Sequence, residues 1–240
     1  MSLDENRYDD AGTRLRFYEE LLARLQRLPG VEGAGLNSAE SLRSSRNPRI
    51  EIEGHVYPRP EDRPGCTMES VSNDFFATLG VGLLAGRTFT AADRADAPAV
   101  AVVNAVFATR FGGGRDIVGR RFRLAGNGAT SAPWVTVVGV VPDLGSMKAG
   151  EASRGPMVYR PIAQADDRAM TILVRGPGEV ARFATKIRSE VAALDPALPV
   201  ARVQTVQEIV EFERIGMNAF GVLFIVCGLG ALMLASVGIY

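Results

Sequence analysis

The side chains able to do chemistry here are few, and their spacing decides what each can do. Glu51, Glu53 and His55 alternate in IEIEGHV, so an extended chain would set all three on one face. Zinc sites need three or four converging ligands, whereas same-face residues of a strand splay apart. His55 is also the only histidine in the chain, so these three read as the solvated face of a half-buried strand. Serine catalysis would have to use the same imidazole, and no Gly-x-Ser-x-Gly elbow is present. Gly114-Arg-Asp-Ile-Val-Gly119-Arg120-Arg121 has the glycine spacing of a phosphate loop. That loop needs Lys for the phosphates and Ser/Thr for the metal, and both positions here are Arg. It also follows a helical pattern where a strand is required, so a turn leading into a strand is the better reading. Gly80-Val81-Gly82 with Gly86 fails as a dinucleotide fingerprint because it follows a helix and lacks the third glycine at its place. Asp93, Asp96, Asp116 and Asp143 each sit beside turn residues, where Asp serves local hydrogen bonding, and they do not pair as a general acid and base. The expectation is no catalytic, cofactor-binding or metal-ligating residue, with substrate-binding residues unassigned.

Composition narrows the class further. The 240 residues suit one large domain or two small ones, and 47% hydrophobic content is ordinary for a chain that buries a core. Lys+Arg 27 against Asp+Glu 27 gives no net field to attract nucleic acid. The two cysteines, Cys66 and Cys227, supply neither a disulfide framework nor a zinc set. The amino terminus, MSLDENRYDDAG, has no basic and apolar signal-peptide pattern. Export of the body would therefore depend on an upstream segment.

The elements that must position any site follow from periodicity. Asp10 or Thr13 can cap a helix in which Leu15, Tyr18, Leu22 and Leu25 recur at helical spacing, widened by Phe17, Leu21 and Leu28 and ended by Pro29-Gly30. A short strand over 31–36 and a polar loop over 37–48 follow. Ile50, Ile52 and Val56 predict a strand alternating with the Glu/His face, and 67–71 predicts another. Asn73 starts a short helix through Phe75, Phe76 and Leu79. Ala99 to Val103 reads as a buried strand, and Asn104 as the cap of a helix stopping at Gly112 to Gly114, which makes a β-to-α unit. Further strands are expected over 120–124, 134–141, 157–159, 170–174 and 200–203. A helix through Val180, Phe183, Ile187, Val191 and Leu194 ends at Asp195-Pro196. LQRLPGVEGAGL is echoed by VAALDPALPVARV, so two α-to-β units flank the body and imply one subdomain built from both ends with a strand-rich insertion between.

Thr205 to Glu213 predicts a last amphipathic helix, and Ile215 to Tyr240 carries no charged residue. About 20 apolar residues cross a hydrocarbon core, so 215–240 is expected to be a transmembrane helix in contact with membrane lipid. Cys227, Ala231 and Ala235 give it a face of small residues, as packed membrane helices have.

In order along the chain, FFATLGVGLLAGRTFTAAD, VAVVNAVFATRFGG, DIVGRRFRL, WVTVVGVVPDL, MVYRP and LDPALPV, followed by ALMLASVGIY, resemble the MacB-like periplasmic core domain of MacB/FtsX-type ABC transporter permeases, in wording closest to the acidobacterial-type duplicated branch. The resemblance implies an α+β fold in which 1–79 and 162–214 form a porter-like subdomain of β-α-β units, 80–161 an inserted strand-rich subdomain, and 215–240 the start of a transmembrane helix. It implies a non-catalytic, extracytoplasmic domain at the inner membrane, with 1–214 on the periplasmic side. It further implies mechanotransmission from a separate cytoplasmic ATP-binding subunit or domain and pairing with a second permease copy or pseudo-duplicate, while the zero net charge argues against a nucleic-acid partner. Three departures stand out: the family's first membrane helix is not in this sequence, Ile117 stands where Pro is frequent, and Pro142 where Gly is usual before Asp143. The alternative that the residues leave open is a membrane-tethered sensor or solute-binding module, and a membrane-held enzyme ranks behind it.

Overall fold

The computed structural model describes residues 1–5, 7–38, 48–112, 115–125, 132–144, 155–178, 180–200, 203–205 and 208. These form an α+β fold with helix α1 (Ala11–Gln26), strands β1 (Gly33–Asn37), β2 (Ile50–Ile52) and β3 (Thr67–Val71), helix α2 (Phe75–Leu79), strands β4 (Ala85–Gly86) and β5 (Val100–Asn104), helix α3 (Ala105–Gly112), strands β6 (Arg121–Leu124), β7 (Val135–Val141), β8 (Met157–Pro161) and β9 (Thr171–Arg175), and helix α4 (Val180–Leu194). All nine strands join one sheet in the order β2-β6-β7-β5-β8-β3-β1-β9, with β4 beside β7. The pairs β5–β7 and β3–β8 are parallel and the rest antiparallel.

The centre of this sheet explains its uninterrupted apolar runs. Ala101 and Val103 of β5 face one cluster with Phe107, Ile117, Phe122 and Val137, whereas Val100 and Val102 face another with Phe75, Phe76, Phe89 and Tyr159. A strand covered on both faces has no wet side to alternate with. Asn104, fully buried, then turns β5 into α3: its Oδ1 accepts the Phe107 N–H at 3.0 Å and the Met157 N–H at 2.9 Å, and its Nδ2 donates to the Gly155 carbonyl at 3.0 Å. One side chain caps a helix and anchors the start of β8. Alongside β7, Gly86 has φ +73°, and a Cβ there would collide with the Val138 carbonyl, so only glycine lets β4 lie this close.

The end of the sheet made by β1 and β9 is covered by α1 and α4. Asp10 caps α1 by accepting from the Gly12 and Thr13 N–H groups at 2.7 and 3.1 Å, and Phe17, Tyr18, Leu21, Leu22 and Leu25 form the buried stripe. They pack with Leu36, Met170, Ile187 and Val191 in a cluster separate from the other two. At the opposite end, Ile50, Ile52 and Cys66 pack with α3 and β5–β7.

Two expected strands come out differently. The strand through Val56 stops at Ile52, because Gly54 turns the chain at φ +81° and leaves Val56 91% exposed. At the expected strand 200–203, Val200 and Val203 are not in a strand; Asp195 and Pro196 set a turn in which Leu198 N–H bonds back to the Asp195 carbonyl. Residues 201 and 202 lie outside the described residues, as do the turn at 126–131 and the run 215–240. Among the described residues, no helix is long and apolar enough to cross a membrane.

Candidate functional site

Glu51, Glu53 and His55 are placed on different tasks. Glu51 and Glu53 sit on the outer face of β2 and its turn, where Arg123 Nε reaches Glu51 at 2.6 Å, Arg63 reaches it at 2.7 Å, and Arg121 pairs with Glu53. Arg123 lies over the Trp134 ring at 4.7 Å from its centroid, so this face is a ladder of cross-strand pairs. His55 is exposed beyond the Gly54 turn, with its ring 6.4 Å from that of Tyr57. Among the described residues, no three His, Cys, Asp or Glu side chains converge as a metal would require.

Of the four aspartates, Asp93 and Asp96 bond to neighbours in sequence and Asp143 to the cap of α3. Asp93 receives Arg87 through two bonds of 2.8 Å and the Thr90 N–H at 2.8 Å, and the Arg87 contact first among these holds its carboxyl below the usual range. Asp96 pairs with Arg94 at 3.4 Å, and Asp143 accepts from Asn104 at 3.3 Å. Asp116 lies in the short turn Arg115–Ile117 before Gly119, whose N–H donates to the Val137 carbonyl, so the described part of the would-be phosphate loop is a turn fastened to β7.

The densest polar construction lies where the first residues of the chain meet β9 and the end of α4. Residues 1–3 run antiparallel to 168–170: Leu3 N–H donates to the Arg168 carbonyl at 2.9 Å, Met170 N–H to the Met1 carbonyl at 3.0 Å, and Ser2 bridges Ala169. Leu3 is buried in the α1–α4 cluster. The strap then reaches Asp195, the residue after α4 and only 1% exposed. Arg7 Nη1 donates to Asp195 Oδ1 at 2.6 Å, the Tyr8 hydroxyl to Oδ2 at 3.0 Å, and the Ala197 N–H to Oδ1 at 3.0 Å. Burial alone would raise the Asp195 pKa, but these three donors outweigh it and hold the carboxyl below its ordinary value. Burial, and after it the Asp195 contact, pushes Tyr8 up to about 12, so its hydroxyl stays a donor.

Helix α1 locks the strap from the other side. The buried Arg14 guanidinium donates to the Tyr8 carbonyl and pairs with Asp166, while the Tyr18 hydroxyl bonds to the carbonyls of Asp167 and Arg168 at 3.1 and 3.0 Å. Tyr8 meets Phe17 edge-on at 5.3 Å, and Glu5 pairs with Arg168 at 2.8 Å. Ten residues beyond Asp195, Thr205 Oγ1 accepts the Glu208 N–H and Glu208 Oε2 the Thr205 N–H, both at 2.9 Å, the reciprocal pattern that opens a helix. The geometry of the joint ties the strap, α1, β9 and α4 into one piece.

Sequence reading missed this joint. Arg7 and Tyr8 lie 188 and 187 positions from Asp195, so no local period marks them, and Asp195 was legible only as a helix end.

The sequence model of the MacB-like periplasmic core domain matches residues 5–190, from the strap through most of α4. The chain belongs to that family. The fold of this MacB-like domain agrees with solved relatives. The periplasmic region of MacB from Actinobacillus actinomycetemcomitans superimposes with TM-score 0.50 at 12% identity, covering 73% of each chain. The extracellular domain of the noncanonic ABC-type transporter YknZ from Gram-positive bacteria gives 0.53 at 14% identity, covering 78% of this chain and 88% of that one. At these identities the likeness is one of fold. No curated protein matches the sequence.

Proposed function

We propose that this MacB-like domain is the non-catalytic, extracytoplasmic part of an ABC-type transporter permease at the inner membrane, with 1–214 on the periplasmic side and 215–240 in the lipid. Its partners would be a separate cytoplasmic ATP-binding subunit or domain and a second permease copy or pseudo-duplicate. Its task would be mechanotransmission: ATP-driven motion of membrane helices is passed to the domain and used for export or extraction of a substrate. Within it, 1–79 with 162–214 would act as the porter-like unit and 80–161 as the inserted one, the two sharing the continuous sheet.

The observation that carries this reading is the joint. Buried Asp195 fastens the strap to the end of α4, and ten residues on Thr205 and Glu208 bond reciprocally in the manner of a helix cap, where the sequence predicts the amphipathic helix 205–213. A helix rises about 1.5 Å per residue without slack, so a helix leaving a stiff joint can carry displacement that a flexible linker would absorb. The test is a Gly-Ser insertion after Arg214 in the complete transporter. Transport should fall while ATP hydrolysis and membrane assembly persist. Unchanged transport would reduce the junction to a tether.

A further inference from the structure

Among the described residues β9 is the last strand of the sheet, and its outer edge carries only the strap, at 168–170. The direction of the backbone groups beyond the strap follows from the neighbouring bonds. The Ser72 N–H donates to the Leu36 carbonyl at 2.9 Å and the Ser38 N–H to the Ser70 carbonyl at 2.7 Å, so Leu36 and Ser38 face β3. Gly35 and Asn37 then face β9, opposite Leu173 and Thr171. Ile172 and Val174 therefore direct their N–H and C=O groups away from β1, to the outer edge. The strap has the same parity: the Met170 N–H donates to the Met1 carbonyl at 3.0 Å and the Met1 nitrogen to the Met170 carbonyl at 2.9 Å, a closed hydrogen-bonded pair.

We infer that the edge of β9 at Ile172 and Val174 is the docking site for the main chain immediately upstream of Met1 in the complete permease, which continues the strap as an antiparallel strand. Direction selects this occupant, because chain preceding Met1 meets Thr171 first and Ile172 next. The Met1 nitrogen also takes the place of a ladder amide. Burial disfavours the charge that an amine carries there, whereas a peptide N–H carries none. Side chains agree as well. Leu3 and Met1 pack on the α1–α4 cluster, as do Met170, Ile172 and Val174 across from them. The second and fourth residues before Met1, opposite Ile172 and Val174, should then be apolar and extend the same stripe. Main-chain bonds would supply the attachment and these two side chains its register. The inference rests on the permease reading in needing residues before Met1.

The test compares the complete permease with the 240-residue chain, both in detergent. Amide exchange at Ile172 and Val174 should be about tenfold or more slower in the permease. In a Cys227→Ser background, Thr171→Cys paired with a cysteine in place of the residue immediately before Met1 should form an intramolecular disulfide. These positions form a non-hydrogen-bonded pair, with Cα atoms about 4.5 Å apart and side chains on the same face. Moving the upstream cysteine one residue further turns it to the opposite face and should abolish the bond. Equal exchange in the two proteins, disulfides with both or neither upstream position, or a disulfide joining two copies would each overturn the assignment. Neither readout measures transport, so this inference and the transmission reading can fail separately.

Discussion

Asp195 shows how a buried carboxylate can stabilise a fold even though burial opposes its charge. Its three donors hold the folded pKa below the value in the unfolded chain, so its stabilising effect is complete above the unfolded pKa of about 3.9 and is lost as the pH falls through the folded value. Asp195→Asn should therefore lower the stability at pH 7 by about 1–3 kcal/mol, read from the urea midpoint, because Arg7 and Tyr8 lose a charged acceptor. Below about pH 4 the gap between variant and parent should narrow, since protonation removes the same charge from the parent. A gap independent of pH would mean that the carboxylate charge does not hold the joint. Cys66 makes the opposite case, a group kept neutral. It is 1% exposed, and burial pushes its thiol up to about 12, so the folded protein contains almost no thiolate to act as a nucleophile. In a Cys227→Ser background, iodoacetamide at pH 8 should label Cys66 only through unfolding. Labelling that is fast and insensitive to stability would contradict its placement beneath β2.

At the scale of elements, Asn104 is the position where one side chain decides most. Asn104→Ala removes the cap of α3 and strands the buried Met157 N–H, so we expect a loss of about 2–4 kcal/mol from the two effects together, read by thermal and chemical denaturation. A loss below about 0.5 kcal/mol, the range of an ordinary surface change, would show that another group takes over the cap. The cap itself was legible in the sequence because Asn sits directly between a β-branched run and an apolar helix. The runs forming β5 and β7 were legible for the reason that hides their orientation: both faces are covered, so hydrophobicity marks the strand without saying which side chain points where. Alternation misled at Val56, since a period of two cannot register the turn that Gly54 makes at positive φ. It misled again at Val200, where the apolar side chain packs on the α1–α4 cluster from a non-strand segment. The joint was not legible at all, because its partners meet only once the sheet has brought the two ends of the chain together.

For the whole molecule, the question is whether the two proposed units behave as one body. The clusters at the two ends of the sheet are distinct: Leu21, Leu36 and Val191 lie in the α1–α4 cluster, whereas Phe107 and Phe122 of 80–161 pack with Ile50, Ile52 and Cys66 of 1–79 beneath β2 and β5–β7. Between them lies a third cluster, in which Val71, Phe76, Val102, Tyr159 and Leu173 bring residues from both units onto the same side of one sheet. The β3–β8 and β5–β8 pairings run straight across it, so opening either end exposes edges and apolar surface of the middle. This continuity predicts a single cooperative unfolding unit. Asp195 and Cys66 lie in opposite ends and give a direct test. When labelling of Cys66 is limited by the population of the open state, each 1.4 kcal/mol lost globally raises its rate tenfold. Asp195→Asn, which touches nothing near Cys66, should then accelerate Cys66 labelling by the factor that its own loss of stability dictates, about 5- to 150-fold for 1–3 kcal/mol. A labelling rate unmoved by Asp195→Asn would show that the two ends open independently, and a domain that opens piecemeal would dissipate at its centre any displacement delivered to the joint.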